Sequence, residues 1–234
     1  MQINRSAVQG LALFENLSTA QVDDVLRGAT GRRYAAGDRV FEQGQTANQF
    51  FVLLHGRLRV TQVTTEGQQV VVRIVNPGDL FGIAKALRRL DYPGTATAVA
   101  ESIVLAWPMT QWNELLDQYP SLAHTAMHTI GSRLLEAQQR VRELSTEEVE
   151  RRVAHVVLRL ANQSGKRDEG GIRIDFPISK QDIAEMTGTT LHTVSRILSA
   201  WEAAGLIEGG RQKLLVRHPH NLVLIGDGLK PGHL

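Results

Sequence analysis

The chain has 234 residues, 42% of them hydrophobic, which is enough apolar content for a folded core and excludes a disordered chain. It has no cysteine, which excludes disulfides, thiolate catalysis and a cysteine-held iron–sulfur cluster. The formal charge of +2 is uneven: residues 1–150 carry −2 and residues 151–217 carry +4, so a polyanion would be met by the C-terminal part.

The first ten residues lack a basic stretch followed by an apolar one, and no apolar run is long enough to span a bilayer. A cytoplasmic protein with no membrane partner is expected. Residues 33–108 read as many short strands. Apolar and β-branched runs fall at 50–54, 58–63, 70–75 and 103–107. Gly37-Asp38, Gly44, Gly56, Glu66-Gly67, Asn76-Pro77-Gly78-Asp79 and Pro93-Gly94 punctuate them, the rhythm of an all-β barrel or sandwich.

A helical texture begins after Pro108. Residues 110–119 predict a short helix stopped by Pro120, with Ser121 capping a longer one. In that longer helix Met127, Ile130, Leu134, Ala137, Val141 and Leu144 repeat at alternating spacings of three and four. These are a and d positions of a heptad, a seam that a second copy of the helix would bury, and the charged flanks favour a dimer over packing on the same chain. Ser145-Thr146-Glu147-Glu148 predicts a capping box opening a further helix to about Ala161, and the glycine-rich stretch 165–171 predicts a surface loop.

The sharpest motif runs from 180 to 199. Ser179 caps a short helix, Gly188 ends it, and Thr189 and Thr190 can cap a second helix that closes at Gly205. Ile183, Ala184, Val194, Ile197, Leu198 and Trp201 mark the buried faces, with the small Ala184 allowing close approach. The opposite face of the second helix is His192, Ser195, Arg196 and Ser199. It is slim, polar and carries one long cation, as a helix that reads the major groove requires. The stretch 206–217 predicts a two-stranded wing whose tip carries Arg211 and Lys213 beside the phosphates. The DNA-contacting set expected is Lys180, Thr189, Thr190, Leu191, His192, Thr193, Ser195, Arg196, Ser199, Arg211 and Lys213.

The succession of β-barrel, heptad helix and winged helix-turn-helix resembles the CRP/FNR family of bacterial transcription regulators over nearly the whole chain. Phe50-Phe51-Val52-Leu53-Leu54-His55-Gly56, Asn76-Pro77-Gly78-Asp79-Leu80-Phe81-Gly82 and Thr193-Val194-Ser195-Arg196-Ile197-Leu198 carry the likeness. The resemblance implies an α+β fold: a cyclic-nucleotide-binding-like β-barrel (jelly roll), a long dimerisation helix and a winged helix-turn-helix. The organisation expected is 1–120 as a sensor β-barrel domain with flanking helices, 121–144 as a dimerisation helix, 145–220 as a winged helix-turn-helix DNA-binding domain and 221–234 as a tail. It implies a homodimer on a palindromic double-stranded operator, with RNA polymerase as a further partner. Arg196 matches the arginine that reads guanine. Ser195 and Leu191 match positions at base edges or the thymine methyl, and Thr190 and Thr193 lie nearer phosphate. His192 departs from the glutamate that many members carry there.

The effector site implied comprises Phe81, Gly82, Ile83, Ala84, Tyr92, Thr95 and Thr97. Cyclic-nucleotide binders of the family carry a glutamate for the ribose and an arginine–serine pair for the phosphate. Here those places hold Gly82-Ile83-Ala84 and about Gly94-Thr95, with neither charge, so an effector other than cAMP is expected. Asp91-Tyr92-Pro93 and residues 187–196 are similar to the branch that responds to nitrogen oxides, some of whose members sense nitric oxide through haem. His124 and His128 are spaced to chelate a metal on one helix face, but no third ligand accompanies them. A cupin-like metal enzyme is the alternative of a different class. It needs several histidines inside the barrel, where residues 33–108 offer only His55.

Overall fold

The computed structural model describes residues 5–8, 10–210 and 212–229. It falls into two compact units, one of residues 1–68 and 72–136, the other of 69–71 and 137–234.

In the first unit α1 (Thr19–Arg27) opens on a capping box, Ser18 accepting the Gln21 amide while the Gln21 side chain returns to the Ser18 amide. That S-x-x-Q signal stands in the sequence and starts one of the helices that flank the strands. The strands follow: β1 (Thr30–Tyr34), β2 (Arg39–Phe41), β3 (Gln49–His55), β4 (Leu58–Val63), β5 (Gln69–Val75), β6 (Leu80–Phe81), β7 (Thr95–Ala98) and β8 (Ser102–Pro108). They form two antiparallel four-stranded sheets, β1-β8-β3-β6 and β2-β7-β4-β5. The sheets are antiparallel and not closed on themselves, as in the jelly roll expected.

The run of apolar residues in β3 explains its central place: Phe50, Phe51, Val52 and Leu53 are all buried, as a strand with both faces covered must be. The expected hairpin at Thr64 forms, with Gly67 donating to the Thr64 carbonyl at 2.9 Å. The Asn76–Asp79 turn closes on itself too, its Asp79 carboxylate accepting the Asn76 amide at 3.0 Å. The Trp107 indole donates to the Val25 carbonyl at 2.8 Å and fastens α1 to β8.

The helices are α2 (Trp112–Gln118), α3 (Pro120–Thr146), α4 (Val149–Ser164), α5 (Lys180–Thr187), α6 (Leu191–Ala203) and α7 (Pro219–Gly226). Four expectations need correction here. Ser121 does not cap α3: Pro120 is already its first residue, a place where a missing amide proton is harmless. Ser145 and Thr146 form no capping box either. Their hydroxyls donate back to the carbonyls of Val141 and Arg142 at 2.8 Å, so α3 runs two residues further than 144 before α4 begins. The stretch 165–171 is no simple loop. It supplies β9 (Gly165–Asp168) and the start of β10 (Gly171–Ile174), which join β11 (Ile207–Gly210) and β12 (Lys213–Val216) in the order β11-β12-β10-β9. Residues 221–226, expected as tail, belong to α7, which buries Leu222 against α4.

Candidate nucleic-acid interface

Local chemistry builds the helix-turn-helix. Ser179 caps α5 by accepting the Asp182 amide at 3.1 Å, and the Asp182 carboxylate accepts the Ser179 amide at 2.9 Å. Two of the first turn's free donors are thus satisfied. Gly188 then adopts φ 62°, the left-handed turn that glycine enters without a Cβ clash. Thr190 caps α6, accepting the Thr193 amide at 3.2 Å. Thr189 is not the cap. Its amide donates to the Ala184 carbonyl at 3.1 Å and closes the α5 end.

Ile183, Ala184, Val194, Ile197, Leu198 and Trp201 are buried, as the pattern required. The Trp201 indole donates to the Glu150 carboxylate at 2.9 Å, tying α6 to α4. The other face of α6 is free: Leu191, His192, Arg196 and Ser199 are exposed, and Thr193 and Ser195 are half-buried. Lys180, Thr190 and Lys213 are exposed too, and Thr189 is half-buried. Arg211 lies outside the described residues. The wing is built as expected, β11 pairing with β12 from Ile207–Val216 to Gly210–Lys213. Its attachment was not foreseen. The Glu202 carboxylate on α6 accepts the Gly209 amide at 2.9 Å and holds the hairpin beside the reading helix. A cavity of about 390 Å³ lies between α5, α6 and the wing, edged by Ser179, Lys180, Glu202 and Gln212.

On α3, Met127, Leu134, Ala137, Val141 and Leu144 are exposed. Ile130 differs. It is half-buried against the core of the roll, so it is shared between the seam and its own unit. Leu135, outside the heptad set, is also exposed.

The residues of the expected effector site separate into two groups. Phe81, Ile83, Ala84 and Tyr92 are buried in an aromatic stack. Tyr92 lies 3.9 Å from Phe41 between ring centres, and Phe51 lies 5.1 Å from Phe81. A Cβ at Gly82 would stand 2.8 Å from the Phe51 ring, so only glycine fits. The Tyr92 hydroxyl donates to the Gln49 carbonyl at 2.7 Å and accepts the Gln49 amide at 3.2 Å. Thr95 and Thr97 alternate with the buried Ala96 and Ala98 and so face the other way on β7, Thr95 accepting the Gln43 amide at 3.0 Å.

Two arginines missed in the sequence converge at the β5–β6 turn. Arg73 pairs with Asp79 at 3.1 Å, and Arg133 of α3 donates to the Leu80 carbonyl. Burial, with Arg73 beside it, lowers the Arg133 guanidinium to about 9. The haem implied by the resemblance does not fit these residues. His55, His124 and His128 all stand at the surface. The apolar cavity between the roll and α1–α3 measures about 30 Å³.

Fold and site together define a transcription regulator that joins an N-terminal jelly roll to a winged helix-turn-helix. Residues 31–119 match the cyclic nucleotide-binding domain, and residues 151–225 match the Crp-like helix-turn-helix domain. The chain is 30% identical to the cyclic AMP receptor protein of Thermus thermophilus over 222 residues, 95% of this chain and 100% of that one. It is 25% identical to the transcriptional activator protein FnrA of Stutzerimonas stutzeri over 207 residues, 88% of this chain and 84% of that one. The structure of FixK2 from Bradyrhizobium japonicum superposes with a TM-score of 0.73 at 21% identity, over 88% of this chain and 99% of that one. The chain belongs to the CRP/FNR family of transcription regulators.

Proposed function

We propose that the chain acts as a homodimer on a two-fold symmetric DNA site, reading each half-site with α6 and answering to an effector other than cAMP in the roll. One observation carries the DNA reading. α6 buries one face and is capped at Thr190, while His192, Arg196 and Ser199 are exposed and Ser195 half-buried on the other. Arg196 has the donor fork that pairs with the O6 and N7 of guanine, and Leu191 offers an apolar contact to a thymine methyl. His192 lacks the acceptor carboxylate that would read a cytosine amine, so the base beside the guanine differs from the better-known half-sites. Lys180, Thr189, Thr190, Thr193 and Lys213, with Arg211, supply phosphate contacts. In the dimer, Met127, Leu134, Ala137, Val141 and Leu144 pack on their copies, with the part of Ile130 left free. The two α6 helices then meet successive major grooves about 34 Å apart. RNA polymerase is the protein partner of such a regulator.

The test is a gel shift against a symmetric site selected from a random duplex library. Arg196→Ala is expected to lose selective binding while the dimer persists, and undiminished selective binding would sink the assignment. A second reading, response to a cyclic nucleotide, is favoured by the likeness to the Thermus protein named a cyclic AMP receptor. Against it stand the ring stack of Phe41 and Tyr92 and the uncharged Gly82-Ile83-Ala84. Calorimetric titration with cAMP decides between the two: no heat supports the first, saturable heat the second. The likeness of Asp91-Tyr92-Pro93 and residues 187–196 to the nitrogen-oxide branch supports denitrification genes as targets, and promoter footprinting tests it.

A further inference from the structure

The last turns of α3, the junction that follows and the turn of the helix-turn-helix are joined by two side chains of α4. Glu143 is 3% exposed, although its carboxylate is charged and it lies only three residues from the end of α3. Its partner is Arg159 Nη1, at 2.6 Å, and Gln139 donates to the same oxygen at 3.1 Å. Seven residues earlier on α4, hence on the same face, Arg152 donates twice. Its Nη1 reaches the Glu147 carbonyl at the α3–α4 junction at 2.7 Å, and its Nε reaches the Thr187 carbonyl at the end of α5 at 3.1 Å. Glu147 lies 3.3 Å from His155, again on α4.

A buried ion pair adds little net stability over apolar packing, but directional guanidinium hydrogen bonds fix geometry that apolar packing leaves adjustable. Here they hold the last turns of α3 against α4 and the end of α5, all within the second unit. None of these donors is on the exposed face of α6, so the pairs have no base to read.

We propose that Arg152 and Arg159 are positioning residues for operator recognition, and that they set the half-site spacing the dimer accepts. This rests on the proposed function above, since spacing has meaning only for a dimer on a symmetric site.

The experiment uses the full chain and duplexes that carry the selected symmetric site with its half-sites moved apart or together by single base pairs. The wild-type chain is expected to prefer one spacing. In Arg159→Met, Glu143→Gln and Arg152→Met that preference should fall by about tenfold, within the usual range of coupling between sites. The penalty for replacing the guanine read by Arg196 should stay as in the wild type. Exchanging the charges, Glu143→Arg with Arg159→Glu, should restore the preference that the single changes lose. Ultracentrifugation and thermal melts accompany each variant, and the exchanged pair decides the matter where a single change fails to fold. Affinity lost equally at every spacing overturns the assignment, because a merely structural role would do that. A retained spacing preference overturns it as well. A wild-type chain that selects no symmetric site overturns the proposed function, and this inference with it.

Discussion

The Leu144 side chain, last in the α3 stripe, lies 3.1 Å from where a Cβ on Gly188 would stand, so the seam helix abuts the turn of the reading head. Gly188 also sits at φ 62°. Gly188→Ala therefore meets two penalties, a left-handed backbone and a crowded neighbour. A loss of about 1–2 kcal/mol is expected from the backbone alone. Urea denaturation followed by far-ultraviolet dichroism checks it, and an unchanged midpoint would refute the reading.

Tyr92 supplies a pH signature. Burial raises its phenol above the ordinary value, against the smaller pull of its hydrogen bond to Gln49. The folded chain thus holds this proton more tightly than the unfolded one does. Stability from the group is complete below about pH 10, the unfolded value, and is lost as pH rises towards the folded value. Tyr92→Phe should be about 1 kcal/mol less stable near neutral pH, through the lost hydroxyl bonds. It should also lose less than the wild type on going to alkaline pH. Parallel stability curves for the two proteins across that range would contradict the assignment.

The exposed stripe of α3 predicts its own test. Leu134→Glu places a charge in the middle of the seam, where a second copy would have to desolvate it. Sedimentation should show monomers at concentrations where the wild type is dimeric, with the melting of the roll unchanged. A variant that remains dimeric would move the interface elsewhere.

At the wing, Lys213 is exposed and has no base to face if it meets phosphate. Lys213→Gln should weaken binding to all sequences alike and reduce the slope of log affinity against log salt by about one unit. A sequence-dependent loss would instead place Lys213 at a base edge.

The reading head was legible because its signals are local. Ser179, Gly188, Thr190 and the spacing from Ile183 to Trp201 act within a few residues, and each side chain lies where its spacing implies. The strands were legible for the same reason, from turn to turn. Long-range pairing was not. Residues 165–171 look like a polar loop because β9 is short and polar, and the sheet that its hairpin with β10 joins is completed only by β12, some forty residues on. Ser145 and Thr146 misled by composition, since a hydroxyl serves equally as a cap or as a bond back into its own helix. The effector site was the least legible. Periodicity says which residues are inside the roll, but whether an inward Tyr92 lines a void or fills it depends on Phe41, Phe51 and Phe81 meeting it from other strands.

β12 has a neighbour on each side, β11 and β10, so the wing is the overhanging edge of a four-stranded platform rather than a free flap. A platform transmits load to its root. Residues inserted between β11 and β12 would lengthen the reach of the overhang and leave α5 and α6 in place. Proteins built on this plan could therefore change how far they grip along the DNA backbone by altering one hairpin, without redesigning the helix that reads the bases.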